Sequence, residues 1–148
     1  MDDATIRHIA AALDGLEIEL PSWGFADSGT RFGAFPQPAA AHTLEQKFHD
    51  VGVVHQYTGA CPYVAVHLAW DFSPGQDPRE VSALAEQNGI RVGSMNPTLF
   101  QEPQYKFGSL ASPFAEARQN ALDHSRTGID IGAAVGSRAM TMWLADGT

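Results

Sequence analysis

Three side chains of types that could do chemistry on a small ligand occur where predicted strands end. His67 lies near the carboxyl end of an apolar run, where an imidazole could act as a general base or proton shuttle near neutral pH. A core histidine that hydrogen bonds to the backbone is the alternative, and periodicity alone favours it. Trp23 and Trp143 lie at the ends of the first and fourth predicted strands. Either tryptophan could pack against the apolar face of a sugar or fill a core, and position alone does not separate these roles.

Other candidate groups leave alternatives open. Asp71 and Asn96, just after the second and third predicted strands, could hold substrate hydroxyls or cap the turns that follow. Cys61 has no basic neighbour in sequence and is expected to be an inert buried thiol. No glycine-rich phosphate loop follows a predicted strand. The remaining histidines show no metal-ligand spacing and fall on predicted helices or helix starts, which favours solvated or structural roles: His8, His42, His49, His55 and His124.

The elements that would position these side chains alternate between helix and strand. Apolar periodicity, capping residues and turn residues predict helices over 4–15, 43–59, 77–89 and 112–136, and strands over 16–20, 63–70, 90–95 and 138–144. This order is typical of right-handed βαβ units on a parallel sheet. The loops 22–41 and 96–111 are long and aromatic, and both follow strands. We therefore expect a ligand site at the carboxyl ends of the strands.

Composition limits the classes of function. The chain has 148 residues, of which 44% are hydrophobic and 18% charged, as expected for a single globular domain. Its net charge of -8 makes nucleic acid a poor partner. No segment is long and apolar enough to cross a membrane, and the first residues do not resemble a signal peptide. With a single cysteine, this indicates a cytoplasmic protein without disulfides.

Several blocks of sequence together resemble the bacterial L-rhamnose isomerase family of broad substrate range. They occur in the family's order and cover about residues 16 to 147, and their combination is more specific than any one of them. The blocks are Pro21-Ser22-Trp23-Gly24, Gly29-Thr30-Arg31-Phe32, His67-Leu68-Ala69-Trp70-Asp71, Met95-Asn96, Tyr105-Lys106-Phe107-Gly108-Ser109-Leu110, Gly136-Ser137 and Trp143-Leu144-Ala145-Asp146-Gly147.

The resemblance implies a xylose-isomerase-like TIM barrel, a tetramer and metal-dependent conversion of an aldose to a ketose. In that family Trp23 and Trp143 match substrate-pocket tryptophans, and His67 matches the histidine at the sugar ring oxygen, suited to ring opening. Phe32 matches a loop phenylalanine that forms an apolar wall in a neighbouring subunit's site. The family's two divalent metals, manganese or similar, have their ligands on later strands, so we predict no metal on this chain alone.

The resemblance covers only the first half of the barrel. We therefore expect residues 1–148 to be the N-terminal half of a (β/α)₈ barrel: an N-terminal helix over 1–15, then four strands with crossover helices over 16–148. The expected reaction of a complete relative is L-rhamnose to L-rhamnulose, and the isolated chain should be inactive. A non-catalytic half-barrel that pairs with itself or with a separate C-terminal half is the alternative. A free-standing doubly wound binding domain would need a closing helix after the fourth strand.

Overall fold

The first helix packs little of its surface against the rest of the chain. In the computed structural model, which describes residues 1–27, 29–30, 33–34, 36–144 and 146, α1 spans Asp3–Asp14. Asp2 caps it by accepting a hydrogen bond from the Thr5 N–H at 2.7 Å. No residue of α1 is buried, and its apolar side chains Ile6 and Leu13 are exposed. The helix predicted over 4–15 is confirmed, but its apolar face has no partner within the part of the chain that the structure describes.

The first strand is shorter than predicted and begins later. β1 spans Glu19–Pro21, and a 3₁₀ turn over Ser22–Phe25 follows it directly. The strand prediction over 16–20 was wrong for its first three residues because the neighbouring strand begins at Tyr63, which pairs with Glu19. Residues 16–18 therefore have no strand residue opposite them. A small antiparallel hairpin, β2 (Gly29–Thr30) and β3 (Gly33–Ala34), lies in the loop after the 3₁₀ turn.

The first crossover helix has the ends that its sequence predicts. α2 spans Leu44–Thr58, and Thr43 and Gln46 form the reciprocal hydrogen bonds of a capping box. Gly59 ends the helix at φ 68°, a left-handed conformation that favours glycine. The prediction over 43–59 is confirmed.

The second strand ends earlier than predicted. β4 spans Tyr63–His67, and the next four residues form a single helical turn, α3 (Leu68–Asp71), where the sequence predicted continued strand. The Asp71 carboxylate accepts the His67 N–H at 2.7 Å and closes this turn. A short run of apolar residues does not distinguish a strand from a single helical turn in sequence, which explains the wrong boundary.

The next helix and strand follow the sequence pattern closely. α4 spans Pro78–Gln87 behind an Asp77 cap that accepts the Arg79 N–H. β5 spans Arg91–Asn96. Both predictions are confirmed apart from one or two residues at the ends.

The last helix and strand are shorter than predicted. A 3₁₀ turn (Pro103–Tyr105) lies in the loop after β5, then α5 spans Ala115–Ala134 and β6 spans Ala139–Met140. The helix begins after an ST turn in which the Ser112 hydroxyl accepts the Phe114 N–H, rather than at residue 112. The strand predicted over 138–144 was wrong beyond residue 140, because the chain opposite it reaches Pro97, which has no N–H to donate.

The four main strands form one parallel sheet in the order β1-β4-β5-β6. The prediction of an α/β fold built from parallel (β/α) units is confirmed. Between the sheet and its helices lies one apolar core, which comprises Phe48, Val51, Val64, Val66, Leu68, Val81, Ala85, Ile90, Val92, Met95 and Val135. The sheet and this core fix where the strands end, and thereby position the loops that follow them.

No helix within the part of the chain that the structure describes is long and apolar enough to cross a membrane.

Candidate functional site at the carboxyl ends of the strands

Two of the predicted site residues meet at the carboxyl ends of β1 and β4. Trp23 lies in the 3₁₀ turn after β1, and His67 is the last residue of β4. Their ring centroids are 5.8 Å apart in an edge-to-face arrangement. Trp70 of α3 stacks on the His67 ring at 3.6 Å with an interplanar angle of 13°. The three rings form what we call the aromatic cluster, defined as Trp23, His67 and Trp70.

A buried carboxylate holds the backbone beneath the aromatic cluster. Asp71 has a fully buried side chain and accepts hydrogen bonds from the Ser22 hydroxyl at 2.5 Å and from Lys47 Nζ at 2.9 Å. It also accepts the His67 N–H at 2.7 Å. These donors come from the 3₁₀ turn, from α2 and from β4. The three hydrogen bonds occupy the Asp71 carboxylate and fix the positions of the chain segments that carry Trp23, His67 and Trp70.

Thr98, which follows the end of β5, contacts the His67 ring and is itself bound by His124. The Thr98 hydroxyl lies 3.3 Å from His67 Nδ1. The Thr98 N–H donates to Nε2 of His124 on α5 at 3.0 Å. Asn96, at the end of β5, donates its amide to the Val66 carbonyl at 3.2 Å. Asn96 and Asp71 thus both form hydrogen bonds with backbone groups nearby. These contacts agree with the alternative that the two side chains cap backbone.

Burial keeps the His67 ring neutral near pH 7. The residue is 3% exposed, and removal from water lowers its pKa to about 4. The Asp71 carboxylate opposes this shift, whereas His124 and Lys47 add to it. Burial also lowers the pKa of His124, with Glu102 opposing the change. A neutral imidazole offers one N–H donor and one lone pair, which suits it to hydrogen bonding with a sugar oxygen or to proton transfer.

The other two predicted site residues lie apart from the aromatic cluster or outside the described residues. Trp143 follows β6, is 68% exposed, and has the Phe100 ring as a neighbour at 6.4 Å. No ring contact joins it to Trp23 or His67 in the described parts of the chain. Phe32 lies outside the residues that the structure describes. The structure therefore brings together Trp23 and His67 of the predicted set.

A cavity of about 720 Å³ lies at the opposite, amino-terminal ends of the strands. Glu19, Arg91 and Arg138 are among its lining residues, and no member of the aromatic cluster is. The Glu19 carboxylate crosses Gly93 and accepts hydrogen bonds from the Ser94 N–H and hydroxyl. We place the candidate site at the aromatic cluster instead, because parallel α/β proteins bind ligands at the carboxyl ends of strands.

Within the described residues, no group of three or more His, Cys, Asp or Glu side chains could hold a metal ion. The divalent metal that the family resemblance implies thus finds no ligand set among these residues. What the described site can supply is aromatic surface, a neutral imidazole and a rigid backbone.

Sequence reasoning missed most of the supporting residues of this site. Ser22 and Trp70 stood within the resembling blocks without a role, and Lys47 and Thr98 were not singled out. His124 was expected to be solvated or structural, and it binds the Thr98 backbone. A lysine on the core-facing side of an amphipathic helix was the available signal for Lys47, because a lysine is seldom buried without a partner.

Comparison with known proteins finds two relatives that are named probable sugar isomerases. No protein-family model matches it. The chain is 35% identical over 148 residues to a probable sugar isomerase of Mesorhizobium japonicum, and 34% identical over 151 residues to one of Rhizobium meliloti. Both relatives are probable sugar isomerases by name. Each alignment covers 97% of this chain and 34% of the relative, so the chain spans about a third of the length of these curated relatives.

We predict that Asp71→Asn destabilises the protein by about 3 kcal/mol, because it leaves the Lys47 ammonium buried without its carboxylate. The free energy of unfolding, measured by urea denaturation followed by circular dichroism, checks this. The double variant Asp71→Asn with Lys47→Met should recover part of the loss, since it also removes the unpaired charge.

A matched control is Asp123→Asn, which breaks an ion pair with Arg126 at 2.8 Å whose side chains are both more than half exposed. Its cost should be much smaller than that of Asp71→Asn, because solvent screens an exposed pair. Equal effects of the two single substitutions would contradict the structural role assigned to Asp71.

We predict that His67 makes the protein lose stability as pH falls. Its pKa is about 4 in the folded chain and near the ordinary value of 6.5 when unfolded, so the unfolded state binds a proton first. The stability that the neutral His67 ring contributes to the fold is fully present above pH 6.5 and is lost between pH 6.5 and about 4. His67→Gln does not titrate and should show a flatter dependence of unfolding free energy on pH. Parallel curves for both proteins would contradict this assignment.

Proposed function

We propose that this chain is the sugar-contacting part of a sugar isomerase that interconverts an aldose and its ketose, with L-rhamnose and L-rhamnulose as the pair. The observation that carries the proposal is the similarity of nearly the whole chain to proteins named probable sugar isomerases. The sequence blocks that resemble L-rhamnose isomerases supply the choice of sugar. The aromatic cluster at the strand ends supports the same class of ligand.

Within this proposal each residue of the aromatic cluster has a part. The Trp23 and Trp70 rings offer apolar surface to the C–H groups of a sugar, and Trp70 remains 39% exposed. The neutral His67 ring faces the sugar's oxygen atoms and assists opening of its ring. As the resemblance implies, we assign Trp143 to the same sugar pocket. Phe32 is assigned to the sugar pocket of a neighbouring subunit.

The divalent metal, manganese or a similar ion, is proposed for the complete enzyme only. When bound, such a metal polarises the carbonyl of the open-chain sugar and stabilises the charge that develops during isomerisation. The described residues provide no ligand set for it, so we propose that its ligands come from other strands of a complete (β/α)₈ barrel. On that basis the 148-residue chain binds sugar without converting it.

We predict saturable binding of L-rhamnose without turnover. Sugar titration should quench tryptophan fluorescence, and Trp23→Ala or His67→Ala should weaken this binding at least tenfold. Tyr57→Ala is the control, because Tyr57 is 85% exposed on α2 and lies outside the proposed site. A coupled ketose assay with manganese should give no signal above buffer.

Two results would contradict the proposal in different ways. Absence of any sugar-dependent change would oppose the sugar site itself. Turnover that is lost on His67→Ala would show instead that the chain is a working isomerase without further strands.

We also propose that the chain associates through its open surfaces, as a homo-oligomer or with a separate C-terminal half. Among the described residues, β1 and β6 are the edge strands of the main sheet, and their outer backbone groups pair with no other strand there. The apolar side chains Ile9 and Leu13 of α1 are 42% and 64% exposed. If this association is the whole function, the chain is a non-catalytic half-barrel, the second candidate.

We predict that the purified chain forms dimers or larger species as its concentration rises, measured by sedimentation velocity. Ile9→Lys together with Leu13→Lys should shift this equilibrium toward monomer, because the charges oppose burial of the α1 face. Tyr57→Lys serves as the control. A monomer at every concentration would remove the homo-oligomer proposal and leave the sugar-binding one untouched.

A further inference from the structure

Thr98 lies next to the His67 ring and makes two polar contacts with histidines, one through its backbone N–H and one through its hydroxyl. Its N–H donates to His124 Nε2 at 3.0 Å, and its hydroxyl lies 3.3 Å from His67 Nδ1. The residue is 3% exposed and follows Pro97, directly after β5. The backbone bond to His124 therefore limits how far the Thr98 hydroxyl can move away from the His67 ring.

The direction of these hydrogen bonds fixes where protons lie. A backbone N–H can only donate, so His124 Nε2 must carry a lone pair, and a neutral His124 has its proton on Nδ1. The Thr98 hydroxyl has no second partner among the described residues. Its hydrogen is satisfied only if it is donated to an unprotonated His67 Nδ1, because the reverse arrangement leaves a buried O–H without an acceptor.

The other ring nitrogen of His67 is not sealed off. Of the buried side-chain nitrogen and oxygen atoms in the described residues, His55 Nδ1 is the one without a hydrogen-bond partner. The described residues form no hydrogen bond with His67 Nε2, so this atom is in contact with solvent. Since Thr98 occupies Nδ1, Nε2 is the ring nitrogen that remains for a ligand.

We propose that Thr98 and His124 are positioning residues that keep the single proton of the His67 ring on Nε2, so that His67 presents an N–H donor to an oxygen atom of a bound sugar. The tautomer follows from contacts within the chain, whereas its use toward a sugar rests on the function proposed above. Burial, which lowers the pKa of His67 to about 4, agrees with a ring that holds one proton near pH 7.

The tautomer can be measured directly in the ¹⁵N-labelled 148-residue chain. A two-bond ¹H–¹⁵N correlation spectrum at neutral pH separates protonated from unprotonated ring nitrogens, and His67→Gln assigns the signals. The expected result is an unprotonated Nδ1 and a protonated Nε2 on His67. A proton on Nδ1 would overturn the proposal.

Paired variants separate positioning from general stability. Thr98→Val removes the hydroxyl at similar volume and should shift both His67 nitrogen signals toward a mixture of tautomers, whereas Thr98→Ser should retain the wild-type pattern. Thr127→Val, an exposed position on α5, is the matched control and should change nothing at His67. Unchanged His67 signals in Thr98→Val would overturn the proposal.

The His124 contribution is tested by two substitutions at that position. His124→Phe removes the acceptor of the Thr98 N–H and should shift the His67 signals in the direction seen for Thr98→Val. His124→Gln retains an acceptor oxygen and should restore the wild-type pattern. Wild-type signals in His124→Phe would overturn the role of His124. The wild-type spectrum and Thr98→Ser decide the Thr98 role even if Thr98→Val does not fold, and no readout requires a sugar.

Discussion

The Asp71 carboxylate joins three separate parts of the chain at one buried point. It accepts hydrogen bonds from Ser22 after β1, from Lys47 on α2 and from the His67 backbone at the end of β4. A fully buried carboxylate is stable only when its lone pairs are satisfied and its charge is paired. This requirement couples the end of the first strand, the first crossover helix and the turn that carries Trp70, so the aromatic cluster depends on it.

The Asp71 carboxylate also influences the charge state of the His67 ring. Burial is the main influence on the pKa of the His67 ring, which it lowers. The Asp71 carboxylate opposes this shift, whereas His124 and Lys47 add to it. A neutral histidine between two tryptophans is an apolar surface with a single polar edge. Such a surface matches a sugar, which also combines apolar C–H faces with hydroxyl and ring oxygens.

Local sequence signals predicted the helices and the strand order well. The Thr43–Gln46 capping box and the Asp77 cap have specific hydrogen-bonding geometry. The predicted N-termini of α2 and α4 were both confirmed. Strand ends were predicted poorly, because a strand ends where its neighbour stops pairing. The strand predicted over 138–144 does not continue beyond residue 140, because Pro97 in the chain opposite it has no N–H to donate. Residues 68–70 were predicted as strand because a short run of apolar residues does not distinguish a strand from a single helical turn.

The sequence by itself determined the α/β class and the parallel order of units, and it singled out Trp23 and His67, whose ring centroids lie 5.8 Å apart in the structure. These follow from periodicity, from caps and from blocks that resemble a known family, all of which are properties of short segments. Only the tertiary structure decided that Asp71 accepts the His67 backbone N–H, that Trp70 stacks on His67, and that Thr98 lies between the His67 ring and His124. Those contacts join residues from different strands and helices, and their geometry exists only once the sheet has set the distances between them.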